Sequence, residues 1–264
     1  MRRMINQFFI LVGSRVISFM YFLGGLSNLT VQTVYLTFVP PFKKDRVFEQ
    51  AKKAGYDSLP IVALVSLFIG FIFALQTAYF MQRIGSEIYI ASMVALSIVR
   101  ELGPVITALI VAGRVGAAIT AELGSMQVTE QIDALETLAS NPVKYLVVPR
   151  FLALGIMLPL LTLYSDAIGI LGGYIICVFR LGISSSMYIK VTTEALFYKD
   201  LFTGLFKTVF FGMIIALVSC YEGFNVQGGA EGVGQATTRS VVFSFIMIII
   251  ADCFFTAMFY FIFP

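Results

Sequence analysis

Apolar positions in this chain gather into long runs separated by short charged clusters. From Ser58 to Gln82 there are 25 residues without a charge. About 20 suffice to cross a bilayer as a helix, so this run predicts a first span, closed by Arg83 and Glu87. Residues 88–99 are again apolar, Arg100-Glu101 interrupts them, and the run resumes from Leu102 to Gly113 before Arg114. Neither half is long enough to cross comfortably, which puts the Arg-Glu pair at or inside the membrane boundary. Pro104 suits the first turn of a helix, so the pattern predicts a chain break near Gly103 and a second span from Pro104 to Leu123. Residues 88–99 then form a partly inserted or outer-face helix. Residues 151–179 predict a third span, kinked or extended at Pro159, and Arg180 closes it. A short amphipathic outer helix capped by serine is expected over 184–200. The fourth span runs from Leu201 to Tyr221, with Lys207 near its outer end where it can snorkel. The fifth runs from Ser240 to Phe263, uncharged but for Asp252. Between them Glu222 to Arg239, with five glycines, reads as a loop.

Two segments depart from the spanning pattern. Ile5, Phe8, Phe9, Val12, Val16, Phe19 and Leu23 recur at three- and four-residue steps with polar residues interleaved, which suits a helix lying in the membrane interface. Residues 16–42 carry no charge, so a sixth span is the alternative, although Asn28, Gln32 and several glycines, serines and threonines make it polar. Pro40-Pro41 then breaks the chain before the basic stretch Lys43, Lys44, Arg46, Lys52 and Lys53, the strongest cytoplasmic marker in the sequence.

The second departure runs from Thr129 to Ala139. Ile132, Leu135, Leu138 and Ala139 share one helical face, with Glu130, Asp133 and Thr137 largely on another. Thr129 is placed to be the N-cap, the acids suit the positive end of the helix dipole, and Asn141-Pro142 stops the helix. A helix of about ten residues does not hold itself in water. It either packs on its own bundle as a solvated loop helix or docks on another protein. Just before it, Ala112, Gly116, Thr120 and Gly124 recur every four residues beside a second row of Gly113, Ala117 and Ala121. Such a small-residue face lets another helix approach closely, whether from the same chain or from a second subunit.

Composition narrows the class. Apolar residues are 59% of 264 and charged residues 12%, with mean hydropathy +0.92. A soluble domain carries about twice that charge, so the chain is an all-α, polytopic integral membrane protein: an N-terminal interfacial helix, five transmembrane helices, a cytoplasmic helix between spans two and three, and an outer helix between spans three and four, which is periplasmic if the membrane is a bacterial inner membrane. It reads as a single domain over 1–264, with the interfacial and basic region at 1–57 and the bundle at 58–264. No cleaved signal peptide is expected. With the N-terminus inside, inner segments hold twelve Lys and Arg and outer segments five, but the later loops split four to five, so orientation rests on the basic N-terminal region. The net charge of +3 gives no reason to expect nucleic acid.

Candidate chemistry is sparse. There is no histidine, and Cys177, Cys220 and Cys253 are far apart, which argues against a metal site or a disulfide framework. GGAEGVGQATTR lacks both the GK[ST] ending of a P-loop and GxGxxG, and neither GxSxG nor HExxH occurs. What remains is a set of intramembrane charges: Arg100, Glu101, Arg114, Asp166 and Asp252. Each costs roughly 2.5 to 3.5 kcal/mol at mid-bilayer on insertion scales, so each either pairs within the bundle or serves a pathway. For Arg114, Asp166 and Asp252 pairing is the simpler expectation. Arg100 and Glu101 suit a cavity lining equally well. An ion relay or an aspartyl dyad of Asp166 and Asp252 is the competing chemistry.

RELGPV (100–105), AGRVGAA (112–118), AELGSM (121–126), TEQIDAL (129–135), NPV (141–143), PR (149–150), DAIGILGG (166–173) and ATTRSVV (236–242) occur in this order over about 140 residues. Together they resemble the MlaE-type permease family, membrane subunits of lipid-transporting ABC systems that work with MCE-domain proteins. The resemblance implies a homodimer in the bacterial inner membrane, moving phospholipid to or from a periplasmic MCE-domain carrier. It implies no cofactor in this chain, with ATP and Mg held by a separate cytoplasmic ATPase. Thr129, Glu130, Gln131, Ile132, Asp133, Ala134 and Leu135 would be the coupling helix seated on that ATPase. A lipid cavity at the dimer centre would be lined by Arg100 and Glu101 and by Phe68, Phe71, Leu75 and Tyr79, which have helical spacing on span one. Ala112, Gly113, Gly116, Ala117 and Thr120 would pack helices or the dimer.

Overall fold

The computed structural model describes residues 2–40 and 44–262, with side chains from Ile17 onward except Ser18 and Phe19. The side-chain pattern from Ile5 to Phe19, Pro41, Lys43 and the Phe263-Pro264 end lie outside them. The described residues form helices joined by short turns: α1 Arg2–Thr37, α2 Lys44–Gly55, α3 Leu59–Ile84, α4 Glu87–Val128, α5 Gln131–Thr137, α6 Val143–Phe179, α7 Ser185–Ala195, α8 Tyr198–Phe224 and α9 Gly229–Ile262. Five stretches are long and apolar enough to cross a membrane: the one ending in α3, then α4, α6, α8 and α9. The protein is therefore a multi-pass, all-helical membrane protein. α1 is one continuous helix, packed through Phe22 against Phe243 of α9 (ring centroids 4.4 Å apart) and Tyr221 of α8 (5.3 Å).

Three expectations about element boundaries are corrected. First, there is no break near Gly103: residues 88–99 belong to the second span, and Ile90, Ala91, Val94, Ala95, Ile98 and Val99 are buried. Pro104 is absorbed by a π-helical turn over Ile98–Leu102, in which the Gly103 N–H bonds back to Ile98. Proline cannot donate to the Arg100 carbonyl four residues earlier, and Lys207 Nζ supplies that donor at 3.4 Å. A second π-helical turn covers Ala112–Gly116. Second, the glycine-rich stretch is mostly helix, since α9 starts at Gly229 after a turn in which Gly228 has φ 89°. Tertiary contacts offset the low helix propensity of glycine there: Val226 and Val233 pack onto Gly124, and Ala236 and Ser240 are fully buried. Third, Ser184 stands at the start of α7 without a side-chain cap, and the helix ends at Ala195. The Asp200 carboxylate instead caps α8 by accepting the Phe197 N–H at 3.1 Å.

Small residues set how closely the spans pack. A Cβ on Gly70 of α3 would collide with the Gly169 backbone of α6, and one on Gly212 of α8 with the Leu154 carbonyl of α6. Beside the first contact Ser66 and Ser165 share a hydrogen bond of 2.7 Å. Ala112, Gly116 and Thr120 are buried inside the chain: Gly116 abuts Ser219 and Ile215, while the Thr120 hydroxyl bonds the Ser219 carbonyl (3.1 Å) and Ser240 (2.8 Å). The second row differs, since nothing lies within 4 Å of a Cβ at Gly113 and Ala117 is half-buried. α6 is the central post, with 67% of its most apolar stretch buried, against 28% for the span ending in α3 and 11% for α9.

Candidate functional site

The short helix α5 hangs between α4 and α6. Its N-terminus differs from the expectation. Thr129 donates to the Ser125 carbonyl at 2.8 Å, closing the end of α4, and Glu130 takes the position before α5 in a left-handed conformation, φ 57°. Asn141 does not stop α5 either. Its Oδ1 accepts from the Val143 and Lys144 N–H groups at 2.9 and 3.3 Å and so starts α6, eight residues ahead of the predicted third span. The segment that carries α5 is thus flanked by a side-chain cap closing α4 and another opening α6. Ile132 is buried in the main core and Leu135 packs at its edge, whereas Leu138, expected on the same face, is 77% exposed. α5 spans only seven residues, and Ala139 turns out of it with φ 55°. The outward surface includes Glu130, Gln131, Asp133, Ala134, Glu136 and Thr137, with the exposed side chains of Val128 and Leu138 at its margins. An acidic face with an apolar residue at each margin is what a helix presents to a groove on another protein.

At the same end, two cations of the bundle are paired across helices. Arg150, 3% exposed, meets Glu122 at 2.9 Å and donates to the Leu146 carbonyl at 2.8 Å. Arg239 meets Glu222 at 3.2 Å. Arg114 donates to Ser58 at 2.8 Å and faces Asp57 at 3.8 Å, so its expected pairing lies with the turn before α3.

Deeper in the bundle lies a polar cluster centred on Lys207. The lysine does not snorkel. It is 2% exposed, because its face of α8 packs against α4 and α9. Nζ lies 2.9 Å from Glu101 Oε2 and 3.0 Å from Asp252 Oδ1, and donates to Thr256 Oγ1 at 2.6 Å. Thr256 donates in turn to Glu101 Oε1 at 3.1 Å. Lys207 stands nine residues into α8, about 14 Å along it, so the cluster lies well inside a span rather than at its end. Arg100 turns away to Asp200 at 3.5 Å. The chain thus brings Glu101 and Asp252 together and leaves one carboxylate uncompensated, with Glu101 41% exposed at its side chain. Asp166 fails the expectation of a polar partner: it is 5% exposed, lies against the backbone of Gly103, and its Oδ1 has no hydrogen bond.

Phe68, Leu75 and Tyr79 lie exposed on the outward face of α3, with Phe71 half-buried beside Phe68 at a centroid distance of 5.8 Å. Sequence reasoning missed Lys207 and Thr256 as members of the cluster and Asp200 as the partner of Arg100. The available signal was a lysine well inside span four, matched by acids inside spans two and five.

Residues 47–258 match the family model described as Permease MlaE. Similar proteins include a probable ABC transporter permease protein of Rickettsia felis, 43% identical over 249 residues that cover 94% of this chain and 96% of that protein. The intermembrane phospholipid transport system permease protein MlaE of Haemophilus influenzae is 35% identical over 257 residues, 96% of this chain and 98% of that protein. Protein TRIGALACTOSYLDIACYLGLYCEROL 1, chloroplastic, of Arabidopsis thaliana is 39% identical over 212 residues, 80% of this chain and 61% of that protein. The fold and these likenesses define the class as the permease subunit of an ABC transporter. The chain belongs to the MlaE permease family.

Proposed function

We propose that this chain is the permease of a phospholipid-transporting ABC system in a bacterial inner membrane, exchanging lipid with a periplasmic MCE-domain carrier and driven by a separate cytoplasmic ATPase. The observation that carries this reading is the build of α5: a short helix set between the capped ends of spans two and three, latched by Ile132, with an acidic outer face and apolar margins. Motion imposed on such a lever passes into α4 and α6 through short connections and through the packing of Ile132 and Leu135 in the core. The chain itself binds no cofactor, and ATP and Mg are held by the ATPase. The Haemophilus relative is the permease of an intermembrane phospholipid transport system, which supports the substrate class.

The lipid path runs along the least buried spans, α3 and α9, in a homodimer. Phe68, Phe71, Leu75 and Tyr79 supply apolar wall, and Glu101 and Arg100 supply polar contact for a headgroup. The double change Glu130→Lys, Asp133→Lys tests the reading. The protein is expected to remain folded in membranes and to lose co-purification with its ATPase, and unaltered association overturns the coupling role. The unpartnered Asp166 favours one second reading, ion-coupled transport through Asp166 and Asp252. That reading requires this chain alone to move solute in vesicles under an ion gradient.

A further inference from the structure

The end of α1, the start of α2 and the first turns of α6 enclose a crevice of about 410 Å³ at the basic end of the bundle. Leu36 of α1, Val39 just past its end and Val148 of α6 form apolar wall, and Arg46 and Lys144 stand at the polar part. These two cations are 98 positions apart in sequence and come from different helices. Tyr145 lies with them: the Arg46 guanidinium sits 3.4 Å from its ring centroid and donates to its hydroxyl. Lys144 Nζ donates to the Pro40 carbonyl at 3.0 Å.

Among the described residues Lys44, Lys52, Arg83 and Arg180 also lack a carboxylate partner but are exposed to solvent, so what sets the pair apart is a missing anion together with partial burial. Arg100, Arg114, Arg150, Lys207 and Arg239 each face a carboxylate within 4 Å. Among the described residues Arg46 and Lys144 face none, although both are half-buried. A free inorganic anion has no use for the aliphatic wall, and a purely apolar ligand none for two cations. A molecule with a phosphate beside hydrocarbon chains satisfies both. The volume is in the range of sites that hold small ligands, about 300 to 1,000 Å³. A zwitterionic headgroup would bring its own cation against Arg46 and Lys144, so charge complementarity favours a lipid with net negative charge.

We propose that this crevice holds an anionic phospholipid of the adjacent membrane leaflet, its phosphate between Arg46 and Lys144 and its chains along Leu36, Val39 and Val148. The site belongs to the α1–α2–α6 junction and is separate from any lipid path along α3 and α9. It stands whether or not the chain transports lipid.

The test uses the full-length protein in nanodiscs of phosphatidylcholine containing a minor fraction of phosphatidylglycerol, with native mass spectrometry counting retained lipid. One phosphatidylglycerol per chain is expected to survive conditions that strip phosphatidylcholine. Each surface cation contributes about fivefold in affinity, so Arg46→Gln, Lys144→Gln together are expected to weaken retention by roughly 25-fold. Lys52→Gln, a nearby exposed cation outside the crevice, is expected to change nothing. Lipid held elsewhere is common to all variants and cancels in the comparison. If the double variant melts early in pure phosphatidylcholine, Val39→Trp, which fills the crevice and keeps both charges, is expected to lose the same lipid. Equal retention of the two lipids by the parent protein overturns the proposal, as does undiminished phosphatidylglycerol in the double variant or in Val39→Trp. A double variant that keeps its lipid but sheds a co-purifying ATPase would assign the crevice to a protein partner instead.

Discussion

Lys207 of α8 and Asp252 of α9 meet with Nζ 3.0 Å from Oδ1, and the same ammonium lies 2.9 Å from Glu101 of α4. One buried cation therefore ties three crossings together. Removing one partner of a buried ion pair costs about 3 to 5 kcal/mol, because it strands a charge in low dielectric. Lys207→Met is expected at the low end, about 3 kcal/mol, since Glu101 and Asp252 keep some exposure. Chemical denaturation in detergent measures it. Adding Asp252→Leu to Lys207→Met is expected to recover part of the loss, and a single variant as stable as the parent contradicts the account.

Asp166 makes the opposite prediction. Its Oδ1 is buried without a hydrogen bond, and no ion pair reaches it among the described residues. Asp166→Asn keeps the shape and removes any charge, so stability is expected to stay level or rise by about 1 kcal/mol. A drop of more than about 2 kcal/mol in the same denaturation assay would mean that the carboxylate has a partner after all.

Gly70 and Gly113 separate packing from open surface. Gly70→Ala pushes a methyl into the Gly169 backbone and is expected to cost about 1 to 3 kcal/mol or to block folding. Gly113→Ala meets nothing within 4 Å and is expected to change stability by under about 0.5 kcal/mol. Thermal melts of the two variants side by side decide it.

Much of this fold could be read from hydropathy because bilayer thickness forces long uncharged runs, and the spans through Ile84, Phe179 and Phe224 fall where those runs predict. What could not be read was decided by contacts between distant segments. Pro104 signals a break, yet a π-helical turn takes it up, the Lys207 ammonium donates to the Arg100 carbonyl, and the helix continues. Glycines from 228 to 234 signal a loop, yet packing of Val226 and Val233 onto Gly124 makes most of the segment helical. Thr129 and Asn141 do cap helices, but the neighbouring ones: each is a competent hydrogen-bonding side chain whose partner depends on where the chain turns. The intramembrane acids were visible as costly. That Asp252 and Glu101 share Lys207 while Asp166 stands alone depends on how three spans are rotated, which residue identity does not specify.

Ile132 is the latch that holds α5 on the bundle, at 6% exposure. Ile132→Ala is expected to cost about 2 to 4 kcal/mol of local stability while the spans remain intact. Limited proteolysis between residues 128 and 141 is the readout: cleavage there should accelerate while fragments of the spans stay protected. Unchanged cleavage would mean that the latch lies elsewhere.

The central claim is that force enters this chain from a separate motor through the outer face of α5. The direct measurement places a single thiol there, Asp133→Cys in a chain with Cys177→Ala, Cys220→Ala and Cys253→Ala, and reads its reaction with a membrane-impermeant maleimide in vesicles of known orientation. The account predicts labelling only from the cytoplasmic face and protection of the thiol once the ATPase is bound. Labelling from the opposite face, or labelling that the bound ATPase leaves unchanged, contradicts it.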